Sequence, residues 1–189
     1  MFGRDPSPRH PVTRELPVVV ATMTRRHLKA VQAIEAQVSP RPWSLDLFRS
    51  ELAQSEASRA WFVARRGGAV VGFAGIMLIV DDGHVTNVAV DPSCRRQGIA
   101  SHLMLPLCRA AIDRGALNLT LEVRASNTGA HALYRRFGFA PAGVRAGYYP
   151  ASSHGPAEDA LIMWVHDVDG HEFAARLAAL ETELEVAVS

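Results

Sequence analysis

The stretch Val88-Ala-Val-Asp-Pro-Ser-Cys-Arg-Arg-Gln-Gly-Ile-Ala-Ser101 carries an apolar segment into a short turn and then into a helical pattern. Gly98 and Ala100 leave little side chain in that turn. The first backbone N–H groups of a helix have no acceptor within the helix, and the helix dipole favours negative charge beside them. Arg95 and Arg96 add positive charge at the same place. The stretch therefore predicts a strand–turn–helix unit that binds an anion.

Two familiar phosphate-binding motifs are excluded for this turn. It lacks the Gly-Lys-Ser/Thr ending of a Walker loop, and it lacks the Gly-x-Gly-x-x-Gly pattern of dinucleotide-binding folds. A structural helix start with solvated arginines is the alternative interpretation, and the turn by itself does not decide between the two.

Three extended segments precede the turn and indicate an antiparallel meander. They are Trp61 to Arg65, Ala69 to Val80 and Val85 to Asp91. The predicted hairpin turns between them are Gly67-Gly68 and Asp81-Asp82-Gly83. Upstream, the pattern predicts a strand from Leu16 to Ala21 and two helices, from Arg25 to Gln37 and from Ser44 to Leu52.

Helical and extended patterns also alternate after the turn. A helix is predicted from Gly98 to just before Gly115, and Pro106 is expected to kink or interrupt it. From Leu117 to Arg124 apolar residues occupy one face of a strand, and Glu122 lies on the polar face. Next comes a helix capped by Ser126-Asn127. It is followed by two strands, from Gly143 to Tyr149 and from Asp159 to His166, and by a helical tail.

This order of elements excludes a regular doubly wound fold and predicts an α+β protein, a three-layer α/β/α sandwich around one mixed, mostly antiparallel sheet. Residues 1–15 are rich in proline and arginine and are predicted to form a mobile arm. The single folded domain is expected over residues 16–167. The helical tail over 168–189 either docks on that domain or mediates self-association, and the pattern leaves both open.

Composition excludes several classes of protein. The 189 residues are 48% apolar with a net charge of +1, which is ordinary for a globular domain and gives no broad electrostatic case for nucleic-acid binding. Two cysteines, Cys94 and Cys108, make no disulfide framework, and no Cys/His cluster has metal-ligand spacing. Because the sequence has neither a long apolar run nor a signal-peptide pattern, we expect a cytoplasmic protein without membrane contact. We also expect a monomer or weak dimer.

Several motifs in the same order and spacing resemble those of the GNAT N-acetyltransferase superfamily, and within it the RimI type. The first is Arg95-x-x-Gly98-x-Ala100 after an Asp-Pro strand end. The others are Leu121-Glu-Val-Arg-Ala-Ser-Asn127, Ala132-Leu-Tyr-Arg-Arg-Phe-Gly-Phe139, Tyr148-Tyr-Pro150, Glu158-Asp-Ala-Leu-Ile-Met163, and Glu35 with Pro42-Trp43-Ser44. The resemblance covers roughly residues 17 to 166 and leaves the arm and the tail without a counterpart.

The resemblance implies acetyl-CoA as cosubstrate, no metal, and transfer to the N-terminal alanine of a ribosomal protein. It assigns general-base work to Glu122 and general-acid work to Tyr134. It places the cosubstrate along Val88, Ala89, Val90, Arg95, Arg96, Gln97, Gly98, Ile99, Ala100, Ser101 and Asn127. Pro42, Trp43, Tyr148 and Tyr149 would line the slot for a peptide N-terminus.

Elementary chemistry agrees with these roles. Acetyl transfer needs a neutral amine as nucleophile and a proton for the departing thiolate. A free α-amine has a pKa of about 7.7–8.0, against about 10.4 for lysine, so a carboxylate acting through water suffices for a terminal amine. Each residue also has a structural interpretation: a solvated carboxylate for Glu122, a packing residue for Tyr134 and a helix cap for Asn127. Of the eight histidines, only His131 and His154 are expected near the site, both at the surface.

Three other functions stay open. The chain could acetylate a small amine or a lysine, it could bind acyl-CoA without transferring the acyl group, or its arginines 95, 96, 135 and 136 could gather for nucleic-acid binding. The loop from Tyr149 to Glu158 is a residue or two longer than in typical RimI enzymes, which leaves the peptide preference open.

Overall fold

Seven strands and five α-helices make up the computed structural model, which describes residues 16–151 and 155–186. The strands are β1 Val18–Thr22, β2 Arg59–Arg66, β3 Ala69–Ile79, β4 Asp82–Val90, β5 Asn118–Arg124, β6 Ala140–Tyr149 and β7 Glu158–Val165. The helices are α1 Leu28–Val38, α2 Leu45–Leu52, α3 Ile99–Ile112, α4 Thr128–Arg136 and α5 His171–Val186. The predicted mobile arm, residues 1–15, lies outside the described residues.

All seven strands form one sheet in the order β1-β2-β3-β4-β5-β7-β6. Every neighbouring pair is antiparallel except β4 and β5, which run parallel. That parallel pairing covers only Asp82 to His84 against Asn118 to Thr120. Beyond His84 the two strands are no longer paired, and a register shift between Gly75 and Ile76 leaves Thr86 of β4 as an extra residue. The sheet therefore opens between β4 and β5.

Helices cover both faces of this sheet, which confirms the predicted α+β sandwich. The larger apolar core joins β2–β5 and β7 to α3, α4 and α5, with Leu103, Leu107 and Phe137 fully buried. The smaller core lies on the opposite face, where α1 and α2 pack Ile34 and Phe48 against the sheet. Ser44 caps α2 as predicted, since its Oγ accepts a hydrogen bond from the Leu47 N–H at 3.1 Å.

The turn between β3 and β4 differs from the prediction. Asp82 already pairs with Ile79, so the two turn residues are Val80 and Asp81, with Val80 at φ 57°. The predicted turn residue Gly83 is instead a buried strand residue. A Cβ atom there would lie 2.5 Å from Leu119 Cδ2, so this glycine serves close packing between strands rather than turn geometry.

Helix α3 is the second difference, because it runs without a break from Ile99 to Ile112 with Pro106 inside it. The predicted interruption is wrong. A proline removes one backbone hydrogen bond and crowds the preceding turn. Flanking residues Leu103, Met104 and Leu107 are fully buried against the sheet, and this packing holds the helical path despite that cost.

The C-terminal helix α5 docks on the body of the protein. It buries Phe173, Leu177, Leu180 and Leu184 in the larger core. Two ion pairs flank that apolar stripe: Arg109 on α3 with Glu181 at 2.8 Å, and Arg136 on α4 with Glu183 at 2.6 Å. Leu184 also lies beside the turn before α3, because a Cβ at Gly98 would be 3.5 Å from its Cδ2. In the described part of the chain, no helix is both long and apolar enough to cross a bilayer.

Replacement of Leu177 by alanine tests the docking of α5. This side chain is 4% exposed, so its truncation should lower the free energy of unfolding by about 2–5 kcal/mol. Leu47→Ala, at a leucine that is 40% exposed on α2, is the matched control and should cost about 1 kcal/mol or less. Urea unfolding followed by circular dichroism measures both. Equal losses would contradict the packing of α5 described here.

Candidate active site

The separation of β4 and β5 opens a cleft of about 680 Å³ at the sheet. Both separated strands contribute to its walls, together with the loop after α1 and the end of β6. It is lined by residues 38–41, 84–89, 121–124 and 148–150 together with Glu35, Trp43, Asn127 and Tyr134. The cleft thus brings together residues from distant parts of the chain, most of which the sequence had already singled out.

Glu122 lies in this cleft because of the alternation along β5. Leu121 and Val123 are buried in the larger core, so the side chain between them projects to the other face of the sheet. Both carboxylate oxygens have partners. Oε2 lies 2.6 Å from Nε2 of His84, and Oε1 lies 3.2 Å from a guanidinium nitrogen of Arg145. The carboxylate is only 12% exposed. Glu122 is therefore an oriented carboxylate rather than a solvated one.

His84 is the residue that the sequence analysis missed. That analysis expected only His131 and His154 near the site. His131 is half-buried, and its Nε2 contacts the Arg124 carbonyl oxygen at 3.0 Å, whereas His154 lies outside the described residues. His84 is separated from Glu122 by 38 positions, and only the short parallel pairing of β4 with β5 brings them together. The available signal was the position of His84 directly before the predicted strand Val85 to Asp91, in a segment that also carries the polar residues Thr86 and Asn87.

Tyr148 and Tyr149 close the cleft from the end of β6. The Tyr149 hydroxyl donates a hydrogen bond to the Glu122 carbonyl oxygen at 3.4 Å, and the Arg124 guanidinium lies 4.1 Å from the centre of its ring. Burial, with a smaller contribution from Tyr148, raises the pKa of Tyr149 to about 12. Arg145 lies over the ring of Tyr148 at 4.9 Å. These contacts connect both tyrosines to the residues around Glu122.

Tyr134 lies on α4 and lines the cleft from the other side of β5. Its ring packs against Phe139 with 5.9 Å between the ring centres. Burial raises the pKa of the Tyr134 hydroxyl above its ordinary value, and the nearby Tyr149 adds to the shift. The hydroxyl is therefore protonated at neutral pH, which is the state that a proton donor requires.

The loop after α1 supplies Trp43 to the cleft but not Pro42. Trp43 packs against Phe48 and Trp61 with ring centres 5.4 and 5.8 Å away. Pro42 is exposed and is not among the lining residues, which corrects its predicted place opposite the tyrosines. Glu35 does line the cleft. It is buried, its Oε1 accepts a hydrogen bond from the Trp43 N–H at 3.4 Å, and burial raises the pKa of its carboxyl.

The predicted anion-binding turn has the expected backbone. Gly98 at φ 73° immediately precedes α3, and Arg96 has φ 64°. Arg95 to Gly98 are exposed, so the turn is open to a ligand. The Gln97 side chain is held by the Arg66 guanidinium, which contacts its amide oxygen. The turn therefore presents the N-terminus of the 14-residue helix α3 together with two arginines.

The strand that leads into this turn, β4, lines the cleft at Val88 and Ala89. The next residue, Val90, pairs with Gly72 of β3 and is not among the residues that line the cleft. Within the described part of the chain, Thr86 Oγ1 and Asn87 Oδ1 are buried without a hydrogen-bond partner. These atoms belong to cleft-lining residues, so a polar ligand there would satisfy them. The cleft thus extends from Glu122 along β4 as far as Ala89, on the strand that leads into the turn.

Asn127 has the structural role that the sequence left open. Its Oδ1 accepts a hydrogen bond from the Ala130 N–H at 3.1 Å and so caps α4. The same residue lines the cleft, so the cap and a ligand contact are compatible. The cleft offers an oriented carboxylate and a protonated phenol, and the strand along its wall leads into a turn with an exposed helix N-terminus and two arginines. This set is suited to acyl transfer from a phosphate-bearing donor to an amine.

Comparison with known proteins agrees with this chemistry. Residues 28–139 match the acetyltransferase (GNAT) family. The [ribosomal protein bS18]-alanine N-acetyltransferase of Escherichia coli strain K12 is 35% identical over 144 residues, which is 76% of this chain and 94% of that protein. The N-alpha-acetyltransferase RimI of Mycobacterium tuberculosis is 36% identical over 142 residues, 72% of this chain and 87% of its own length.

A solved structure shows the same architecture. The crystal structure of the ribosomal-protein-S18-alanine N-acetyltransferase from Escherichia coli superposes with a TM-score of 0.71 at 35% identity and covers 80% of this chain and 94% of that one. The predicted RimI-type resemblance is confirmed by these matches. The chain therefore belongs to the acetyltransferase (GNAT) family, and it shares the fold of this solved relative.

Proposed function

We propose that this enzyme transfers an acetyl group from acetyl-CoA to the N-terminal α-amine of a protein, and that the first candidate substrate is a ribosomal protein with an N-terminal alanine. The observation that carries the proposal is the position of Glu122, an oriented carboxylate in a cleft that is lined by β4, the strand that leads into the arginine-bearing turn before α3. Relatives named as alanine N-acetyltransferases of ribosomal protein bS18 support the choice of substrate.

Acetyl-CoA fits the cleft and the turn before α3 at three places. Its pyrophosphate would meet the N–H groups at the start of α3 and the side chains of Arg95 and Arg96. Its pantetheine amides would meet the backbone of Val88 to Val90, where β4 is still paired with β3 but no longer with β5. Asn127, which lines the cleft, would contact the cosubstrate near its pantetheine. Bound in this way, the thioester is delivered to the part of the cleft that holds Glu122 and Tyr134.

On the amine side, Glu122 acts as the general base through a water molecule. A terminal α-amine has a pKa of about 7.7–8.0, so a large share of it is neutral near pH 7.5 and the base needs only to remove a proton as the nitrogen attacks. The nitrogen bonds to the acetyl carbon while the carbon–sulfur bond breaks, without an acetylated enzyme intermediate. Enzyme, acetyl-CoA and peptide are thus together when the acetyl group moves.

On the sulfur side, Tyr134 is the general acid. Its hydroxyl is protonated at neutral pH because burial disfavours the phenolate. Donation of that proton to the departing sulfur produces neutral CoA thiol. The cysteines take no part: Cys108 is fully buried, and burial raises the pKa of its thiol to about 12.

The peptide slot lies between Trp43 on one wall and Tyr148 and Tyr149 on the other. These aromatic walls would hold the first residues of a substrate while its amine faces Glu122. The buried carboxyl of Glu35 stands at the same wall as Trp43 and adds a hydrogen-bonding group to the slot.

Three matched peptides test the proposed function. One has a free N-terminal alanine, one has a blocked terminus and an internal lysine, and one has neither amine. We expect release of CoA thiol only with the first peptide. Turnover on the second would assign the enzyme to lysine acetylation. No turnover on any peptide, with acetyl-CoA still bound, would move the activity to small amines or to acyl-CoA binding alone.

Glu122→Gln tests the base. The substitution removes the carboxylate on which general-base catalysis depends and keeps a side chain of the same shape, so kcat on the alanine peptide should fall by about 10²-fold or more. The Kd of acetyl-CoA, measured by calorimetry, should change less than about twofold because Glu122 lies away from the turn. A variant with wild-type kcat across the pH range would remove Glu122 from the mechanism.

Gly98→Val tests the anion-binding turn. Gly98 has φ 73°, a backbone conformation that costs a residue with a Cβ about 1–2 kcal/mol, so the turn should shift. We expect the Kd of acetyl-CoA to rise at least about tenfold. Gly68→Val is the matched control, since Gly68 has φ 89° in the β2–β3 turn with no atom near its would-be Cβ. Similar Kd values for both variants would exclude the turn as the binding site.

A further inference from the structure

We propose that His84 forms the general base together with Glu122: the proton taken from the attacking amine comes to rest on the His84 imidazole, and Glu122 stays an anion. The inference rests on the proposed function and assigns a second catalytic residue within it. The contact between His84 Nε2 and Glu122 Oε2, at 2.6 Å, is the observation behind it.

The charges around Glu122 argue for this division of work. The carboxylate is 12% exposed and contacts the guanidinium of Arg145 through Oε1 and the imidazole of His84 through Oε2. A proton kept on Glu122 would leave Arg145 facing a neutral carboxylic acid and would lose that ion pair. A proton on His84 instead creates an imidazolium–carboxylate pair, so Glu122 stays ionised and each of its carboxylate oxygens faces a positive group. The second arrangement loses no electrostatic contact.

The geometry of His84 suits a proton acceptor. With Nε2–H donating to Glu122, the remaining nitrogen Nδ1 carries a free lone pair, and it has no partner among the described residues. The side chain is 30% exposed and lines the cleft, so water can reach it. A carboxylate that orients an imidazole base and then faces its charged form is a known way to prepare a base.

The transfer balances without any further reactant. The amine nitrogen bonds to the acetyl carbon, the carbon–sulfur bond breaks, and sulfur takes the Tyr134 proton and leaves as thiol. The proton lost by the nitrogen passes through water to His84. His84 then gives it to solvent, and Tyr134 regains a proton from solvent, so the enzyme returns to its starting state.

The experiment compares His84→Gln with His166→Gln. Glutamine can still donate a hydrogen bond to Glu122, but it cannot hold a proton. We expect His84→Gln to lower kcat/KM on the alanine peptide about 10²-fold, with the Kd of acetyl-CoA within about twofold. His166, which is exposed and bonds to Asn118, is the matched control and should keep wild-type kinetics.

The pH profile separates a proton acceptor from a merely positioning residue. Removal of a proton acceptor should change how log kcat/KM falls at the acid end, so the wild type and His84→Gln should differ in slope there. The other charged groups near His84 are unchanged in both proteins: Glu35, Arg41 and Arg124 line the cleft, and Arg145 contacts Glu122.

Nitrogen-15 NMR of the imidazole gives a readout that does not depend on turnover. In the wild type, neutral His84 should carry its proton on Nε2, and Glu122→Gln should weaken that preference. An active wild type whose His84→Gln variant keeps kcat/KM, or loses it while retaining the wild-type slope at the acid end, would overturn the role of His84 and leave the proposed function intact. A wild type inactive on the alanine peptide would overturn the proposed function instead, and the tautomer would still test the His84–Glu122 contact.

Discussion

The incomplete pairing of two parallel strands determines the site. β4 and β5 share a register only from Asp82 to His84, and beyond that point their backbones separate. A parallel pair that stayed bonded would bury Glu122 and His84 beneath a continuous sheet. The separation instead leaves β4 backbone groups unpaired along one wall and opens the space between the strands. The backbone groups that a complete sheet would use internally become available to a ligand.

The same separation explains why the charged residues gather at one place. Glu122 on β5, His84 on β4 and Arg145 on β6 project into a region where the sheet no longer fills the space. The carboxylate of Glu122 contacts both His84 and Arg145, so each of these three side chains has a partner of complementary charge or hydrogen-bonding capacity. Arg124 and Arg145, which lie over the rings of Tyr149 and Tyr148, extend this set of contacts to the aromatic wall.

Local patterns in the sequence predicted the parts of the fold that depend on local physics. The alternation around Glu122, the cap at Ser44 and the turn at Gly98 follow from residue periodicity, side-chain caps and glycine geometry, and the structure shows all three. The contact between His84 and Glu122 could not be predicted in this way. It depends on which strand lies parallel to β4 and on where that pairing stops, and neither follows from the residues next to His84 or Glu122 in the chain.

The errors have a common cause. Gly83 has the sequence signature of a turn residue, yet it is glycine because Leu119 needs the space. Pro106 has the signature of a helix break, yet buried neighbours keep α3 continuous. In both cases a tertiary contact outweighed a local preference, and such contacts cannot be deduced from the neighbouring residues in the chain.

The hairpin at Val80 shows how the chain distributes its stability. Val80 is β-branched and has φ 57°, which is an unfavourable backbone conformation for such a residue. Its side chain is 91% exposed, so packing contacts do little to offset that cost. Asparagine or glycine would occupy the same turn without that cost of about 1–2 kcal/mol. This position lies outside the lining of the cleft. The fold thus holds a reserve of stability that engineering could recover at a site remote from the chemistry, which makes the molecule a tolerant scaffold for changes in its peptide slot.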